Sequence, residues 1–167
     1  MKTVSVISII YGTFAFLWAT LVLFAIGLQK SLIENVTFPE EALQFVDIPL
    51  MLETLHGIMS VLVPFVFLIG LIYIISGILG LTEKPQAYLF GMLAAVFNIV
   101  WYVAYIVILQ LDLVPLFKFD EIFPSNFFNM LFLLGMVVNA IFYCAYPVFL
   151  IIFLSQKNVS RKSCCAV

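Results

Sequence analysis

Residues 55–81 read LHGIMSVLVPFVFLIGLIYIISGILGL, and this stretch contains no Asp, Glu, Lys or Arg. A helix needs about 20 apolar residues to cross a hydrocarbon core about 30 Å thick, so the stretch is long enough to span a bilayer. Three further uncharged stretches of similar length occupy residues 4–28, 88–111 and 127–154. Near-continuous apolar runs do not alternate as barrel strands do, and lipid offers no partner to an unpaired strand edge. The chain is therefore predicted to be an all-α integral membrane protein with four transmembrane helices in an antiparallel bundle.

The composition excludes several other classes of protein. Of 167 residues, 65% are hydrophobic and 10% are charged, and the mean hydropathy is +1.24. An average soluble domain is about half apolar and a quarter charged. Seven Lys and Arg residues and three Cys residues are too few for a nucleic-acid-binding module or a disulfide-stapled secreted domain. The lipid bilayer is thus the predicted surrounding, and no nucleic-acid partner is expected.

The basic residues predict which way the helices face, because Lys and Arg prefer the cytoplasmic segments near a membrane. If both termini are cytoplasmic, five of the seven basic residues lie inside, and only Lys30 and Lys118 lie outside. We therefore expect a single transmembrane domain over residues 1–154 and a short basic cytoplasmic tail over residues 155–167. The first apolar run is too long for a signal-peptide core and has no A-x-A site, so we expect it to be retained as a helix.

The connections between the spans differ in length and in predicted role. Residues 82–87 form a short turn, which predicts that the second and third helices are antiparallel neighbours. The first external loop, residues 29–54, carries TFPEE at 37–41, a pattern typical of a helix start, so we expect a short helix there. The second external loop, residues 112–126, mixes aromatic and charged residues and is expected to lie at the membrane interface.

Small residues predict where the helices pack, because no hydrophobic force drives helices together in lipid and close approach of backbones matters more. Gly12, Ala15 and Ala19 recur at three- and four-residue steps, which places them on one side of the first helix. Gly70 and Gly77 are expected to serve the same purpose on the second helix. We therefore predict close helix contacts at these five positions, and a kink in the second helix at its proline.

Polar side chains of the third and fourth helices predict a cluster within the membrane. Its members are Asn98, Tyr102, Tyr105, Asn139 and Tyr143. Asn98 and Asn139 both lie near the predicted middle of the bilayer, where they are candidates for a mutual hydrogen bond. Two interpretations stay open: the cluster joins the helices, or it lines a cavity for a ligand or substrate. Because polar groups in lipid need partners whether or not a ligand binds, the sequence favours the first.

The predicted spans lack the groups that common membrane chemistries require. Every charged side chain lies outside them, whereas ion-coupled transport needs a titratable group inside the membrane. His56 is the only histidine and Cys144 is the only cysteine within a span, which is too little for a haem or thiol-redox site. Glu53 and His56 lie one helical turn apart, but one carboxylate and one imidazole do not make a metal site. We expect no catalytic residue, no cofactor and no metal.

Two sequence features depend on the cell of origin. Cys164 and Cys165 follow basic residues and are candidates for acylation in a eukaryote, and residues 35–37 form a glycosylation sequon. High Phe and Ile content and compact loops favour a bacterial inner membrane over a eukaryotic membrane.

Three classes of function are compatible with these features. The sequence favours a non-enzymatic accessory or structural subunit that packs against other membrane proteins or against itself, because it has small-residue stripes and no catalytic groups. The alternative is an uncoupled small-molecule or lipid carrier or channel that acts through its bundle or as an oligomer. A membrane enzyme is the third class.

Overall fold

The computed structural model describes residues 2–33, 48–116 and 125–164, and these residues form helices and no β-strand. Helix α1 spans Lys2–Ile33, α2 spans Ile48–Leu81, α3 spans Gln86–Ile108 and α4 spans Ser125–Cys164. A π-helical turn at Leu109–Leu113 and a 3₁₀ turn at Val114–Leu116 continue α3. The prediction of an all-helical protein is therefore confirmed.

Three of the helices are long and apolar enough to cross a membrane. These candidate spans are Lys2–Leu28, Pro49–Leu81 and Gln86–Leu113. A fourth span is present when the two parts of α4, Leu133–Ile141 and Tyr143–Gln156, are counted together across a bend of 40°. Length and composition thus support a multi-pass membrane protein with three to four helices in a bundle.

Large apolar side chains cover the outside of the bundle. Phe14 on α1 is 71% exposed, and Leu111, which follows α3, is 67% exposed. Such a surface would be costly in water but matches the hydrocarbon of a bilayer, which is as apolar as the side chains themselves. The buried core lies instead between the helices, where Ala19, Tyr73, Ala94 and Ala95 are fully enclosed.

The connection between α2 and α3 is a compact helix cap. Lys84 donates its backbone N–H to the Leu79 carbonyl (2.9 Å), and Glu83 donates to the Gly80 carbonyl (3.3 Å). This pair of bonds is a Schellman motif, and Glu83 has a φ of 57° at the position where glycine is usual. The cap turns the chain back so that α3 packs against α2, as the short link predicts. We call the half of the bundle that contains residues 82–85 the turn half, and the opposite half the open half.

The helix boundaries differ from the predicted spans. α2 begins at Ile48 rather than at residue 55, and α4 continues to Cys164 through most of the predicted tail. Helical hydrogen bonds satisfy the backbone in lipid and in water alike, so a helix does not have to stop where the apolar run stops. α2 also runs through Pro64 as one helix. The expected short helix at 37–41 and most of the second external loop lie outside the described residues.

Candidate functional site

The bend in α4 has a local cause in the sequence. Pro147 has no backbone N–H, so the carbonyl of Tyr143, four residues earlier, loses its donor within the helix. The 40° bend falls between Ile141 and Tyr143, directly before that carbonyl. The hydroxyl of Tyr11 on α1 donates a hydrogen bond to it at 3.3 Å. A neighbouring helix thus supplies the donor that the proline removed, as transmembrane helices require in a medium without water.

This hydrogen bond is part of a chain that joins three helices. Asn98 on α3 donates its side-chain N–H to the hydroxyl of Tyr11 at 2.9 Å, and Tyr11 in turn donates to the Tyr143 carbonyl of α4. Asn98 is only 6% exposed. These two hydrogen bonds therefore connect α1 to both α3 and α4.

A second contact joins α1 and α4 closer to the turn. Ser8 and Tyr146 share a hydrogen bond of 2.5 Å between their hydroxyl groups. The rings of Tyr11, Tyr73 and Tyr146 lie against one another with centroids 4.8 to 5.8 Å apart. The Tyr73 hydroxyl is fully buried and makes no hydrogen bond with any of the described residues.

An aromatic group lies further toward the open half. Trp101 stacks on Tyr105 with ring centroids 5.4 Å apart, and Tyr102 stacks on Tyr143 at 5.5 Å. The Tyr102 hydroxyl donates to the Met136 carbonyl of α4 at 2.9 Å. The indole N–H of Trp101 donates to the carbonyl of Leu62 on α2 at 3.0 Å. Stacking and these two hydrogen bonds thus tie α3 to both of its neighbours.

Four of the five predicted cluster residues make the hydrogen bonds and ring contacts described above. Asn98, Tyr102, Tyr105 and Tyr143 belong to the groups just described. Asn139 is half-buried, and no hydrogen bond between it and Asn98 is present among the described side chains. The expected asparagine pair is thus replaced by a bond from Asn98 to Tyr11.

Sequence reasoning missed the contributions of α1 and α2 to this cluster. Tyr11 and Tyr73 are tyrosines within the predicted spans, and Ser8 is a further hydroxyl-bearing residue of the first span. The available signal was a hydroxyl group within a span, because such a group usually needs a hydrogen-bond partner when it is buried. Pro147 was a second available signal, since a proline in a helix releases the carbonyl four residues earlier.

The predicted packing residues lie mostly between α1 and α2. A β-carbon built on Gly12 would lie 2.6 Å from the Gly70 carbonyl oxygen, and one built on Gly70 would lie 2.9 Å from the Gly12 carbonyl oxygen. A β-carbon on Gly77 would meet the Ser5 carbonyl oxygen at 2.6 Å, and Ala19 is fully buried. Ala15 differs from these four, because it lines a cavity.

That cavity has a volume of about 190 Å³ and lies among all four helices. Helix α1 contributes four of its lining residues, α2 and α3 contribute two each, and α4 contributes one tyrosine. Its lining consists of Tyr11, Phe14, Ala15, Trp18, Val66, Ile69, Asn98, Trp101 and Tyr143. Five of these nine residues are aromatic and none is charged.

The site can therefore stack rings and exchange hydrogen bonds, and its lining offers no charge. No group of three or more His, Cys, Asp or Glu residues that could hold a metal is found in the part of the chain that the structure describes. A scan against models of protein families and searches of curated proteins and of solved structures found no match to this chain. The assignment of function therefore rests on the residues of the bundle.

Proposed function

We propose that this chain is a small non-enzymatic integral membrane protein, an accessory or structural subunit that packs against other membrane proteins or against a second copy of itself. Its termini face the cytoplasm in this proposal, and a bacterial inner membrane is its setting. The proposal rests on which glycines of the bundle contact a neighbouring helix and which do not.

The eight glycines divide by position in the bundle. The glycines of the turn half are packed against a neighbouring helix: Gly12, Gly70, Gly77, Gly80 and Gly91. In the open half, Gly27, Gly57 and Gly135 have no described atom within 4 Å of where a side chain would begin. Small residues in membrane helices serve close approach of a second backbone. The glycines of the open half therefore offer places for helices from outside this bundle.

The shape of α4 supports the same interpretation. Its segment Leu133–Ile141 diverges by 40° from the remainder of the helix, and Leu133, Leu134 and Ile141 are each about 60% exposed. Lipid alone can cover such a surface, but a glycine within it, Gly135, gains nothing from lipid contact. A partner helix packed on this segment would use both the apolar face and the glycine.

The test is co-purification of the full chain in mild detergent, followed by native mass spectrometry. We expect a defined higher mass that contains a second membrane protein or a second copy. Gly135→Leu should weaken this complex by about 5- to 150-fold, the range that corresponds to an overpacking cost of about 1–3 kcal/mol. Ala145→Leu, an equally exposed small-to-large change in the other part of α4, should leave it intact.

The cavity favours a second candidate function, an uncoupled carrier or channel for a small molecule or lipid. The same measurement distinguishes the two. A chain that carries only a small molecule or lipid, with no protein partner and no effect of Gly135→Leu, would replace the subunit proposal with the carrier.

A further inference from the structure

The cavity has the size and the walls of a site for a ring. An apolar cavity of about 150 Å³ in a protein core holds a benzene-sized molecule, and this cavity measures about 190 Å³. Phe14, Trp18 and Trp101 present aromatic side chains to it, together with two tyrosines. Aromatic rings pack favourably on other rings in offset or edge-to-face arrangements. A flat ring compound therefore uses this lining better than a flexible chain does.

The lining also determines which charge a ligand of the cavity can carry. No charged side chain lines the cavity, and each of the four helices that form it is uncharged at this level. An ionised ligand would enter without a counter-charge in a medium of low dielectric, which is strongly unfavourable. The lining therefore favours a neutral, lipid-soluble ligand.

Asn98 adds a polar requirement. A side-chain amide has two N–H donors and a carbonyl acceptor, and Asn98 uses one N–H on Tyr11. Asn98 is 94% buried, and its amide lines the cavity beside the Tyr11 hydroxyl. Within hydrocarbon there is no bulk water to compete for hydrogen bonds with this amide. The amide is therefore the group of the lining that would bind a hydroxyl or carbonyl oxygen of a ligand.

We infer that this cavity binds a neutral, lipid-soluble ring compound that carries a hydroxyl or carbonyl oxygen, with the oxygen on the Asn98 amide and the ring among the aromatic side chains. The ligand enters from the lipid, because Phe14 at the edge of the cavity is 71% exposed on the outside of the bundle. This site does not depend on the proposed role as a subunit.

The protein carries its own reporter of the site. Trp18 and Trp101 are the only two tryptophans of the chain, and both line the cavity. A bromine atom quenches indole fluorescence on contact, so a brominated ring compound that enters the cavity will be seen directly. The probes are 4-bromophenol and bromobenzene, which share the ring and the bromine and differ in the hydroxyl group. The full chain is placed in nanodiscs of unbrominated phosphatidylcholine.

We expect saturable quenching by 4-bromophenol that an excess of phenol relieves. Asn98→Leu should raise the half-saturating concentration of 4-bromophenol about fivefold, the loss of one neutral hydrogen bond. The same substitution should change the half-saturating concentration of bromobenzene by a smaller factor, because bromobenzene has no oxygen that could bind the amide. Asn139→Leu is the matched control, because this asparagine of α4 does not line the cavity, and it should change neither probe. Ala15→Leu, which fills the cavity, should weaken both probes.

The inference would be overturned by quenching that rises linearly with either probe, is not relieved by phenol and is the same in every variant. Such quenching reports only that the probes partition into lipid. The competition by phenol needs no substitution, so it decides the matter even if Asn98→Leu does not fold. If phosphatidylcholine brominated on its acyl chains quenches both tryptophans and phenol has no effect, the cavity holds a lipid chain and the ring-compound assignment is wrong.

Discussion

The contact between Gly12 and Gly70 makes a quantitative prediction about the stability of the bundle. Gly12→Ala adds one methyl group, which would lie 2.6 Å from the Gly70 carbonyl oxygen, 2.8 Å from the Tyr73 β-carbon and 2.9 Å from the Ile74 backbone nitrogen. All three atoms belong to the backbone of α2 or are fixed directly to it, so none can rotate away. Ordinary contact begins at 3.4 Å, and 3.4 − 2.6 gives a separation of about 0.8 Å that α1 and α2 must open at this point.

Atoms that face each other across a gap of 0.5–1 Å lose about a quarter to a half of their dispersion energy. Inserting a methyl group into a packed core costs about 1–3 kcal/mol of stability. Against this, alanine is about 1 kcal/mol better than glycine in a helix. Gly27→Ala isolates the contact, because it makes the same change on the same helix at a position where no described atom lies within 4 Å. We expect Gly12→Ala to be less stable than Gly27→Ala by about 1–3 kcal/mol in an SDS-unfolding titration of the detergent-solubilised protein. Equal free energies of unfolding for the two variants would refute the close contact.

The other two predictions concern topology and the polar cluster. A single cysteine at Ser31, in a background without the native cysteines, should react with an impermeant thiol reagent in intact cells, whereas one at Gln86 should not; the reverse pattern would invert the proposed orientation. A double-mutant cycle of Asn98→Leu with Tyr11→Phe should show a coupling of about 0.6 kcal/mol, typical of hydrogen bonds in membrane bundles. The cycle of Asn98→Leu with Asn139→Leu should be additive within about 0.3–0.5 kcal/mol, since no bond joins them; coupling there would contradict the hydrogen-bond pattern.

The number and type of the helices could be predicted from the sequence because lipid imposes them: an uncharged run of sufficient length has to be helical there. The short turn before α3 likewise predicted that α2 and α3 are neighbours. The partner of Asn98 could not be predicted in the same way. Position along a span gives the depth of a side chain in the membrane but not the direction in which it points. The sequence predicts a similar depth for Asn98 and Asn139, yet the partner that the structure gives Asn98 is the hydroxyl of Tyr11 on α1.

The glycines likewise show which features a short stretch of sequence predicts and which features depend on the packing of distant helices. Gly12 and Gly70 are recognisable as packing residues because their size is a property of the residue itself. Their contact with each other depends on how α1 crosses α2. Short-range sequence patterns give no information about that crossing. Gly135 carries the same signal in the sequence, yet no described atom lies within 4 Å of where its side chain would begin.

Pro147 acts on the packing of α4 through the carbonyl of Tyr143. The proline removes the helical donor of that carbonyl, and the 40° bend lies directly before it. The Tyr11 hydroxyl donates to the released carbonyl, and both tyrosines line the cavity. The contact between Gly12 and Gly70 holds the backbone of α1 against α2 next to Tyr11. The bend and the cavity thus share Tyr11 and Tyr143, so a change in the packing of α4 is expected to act on the cavity through these two residues.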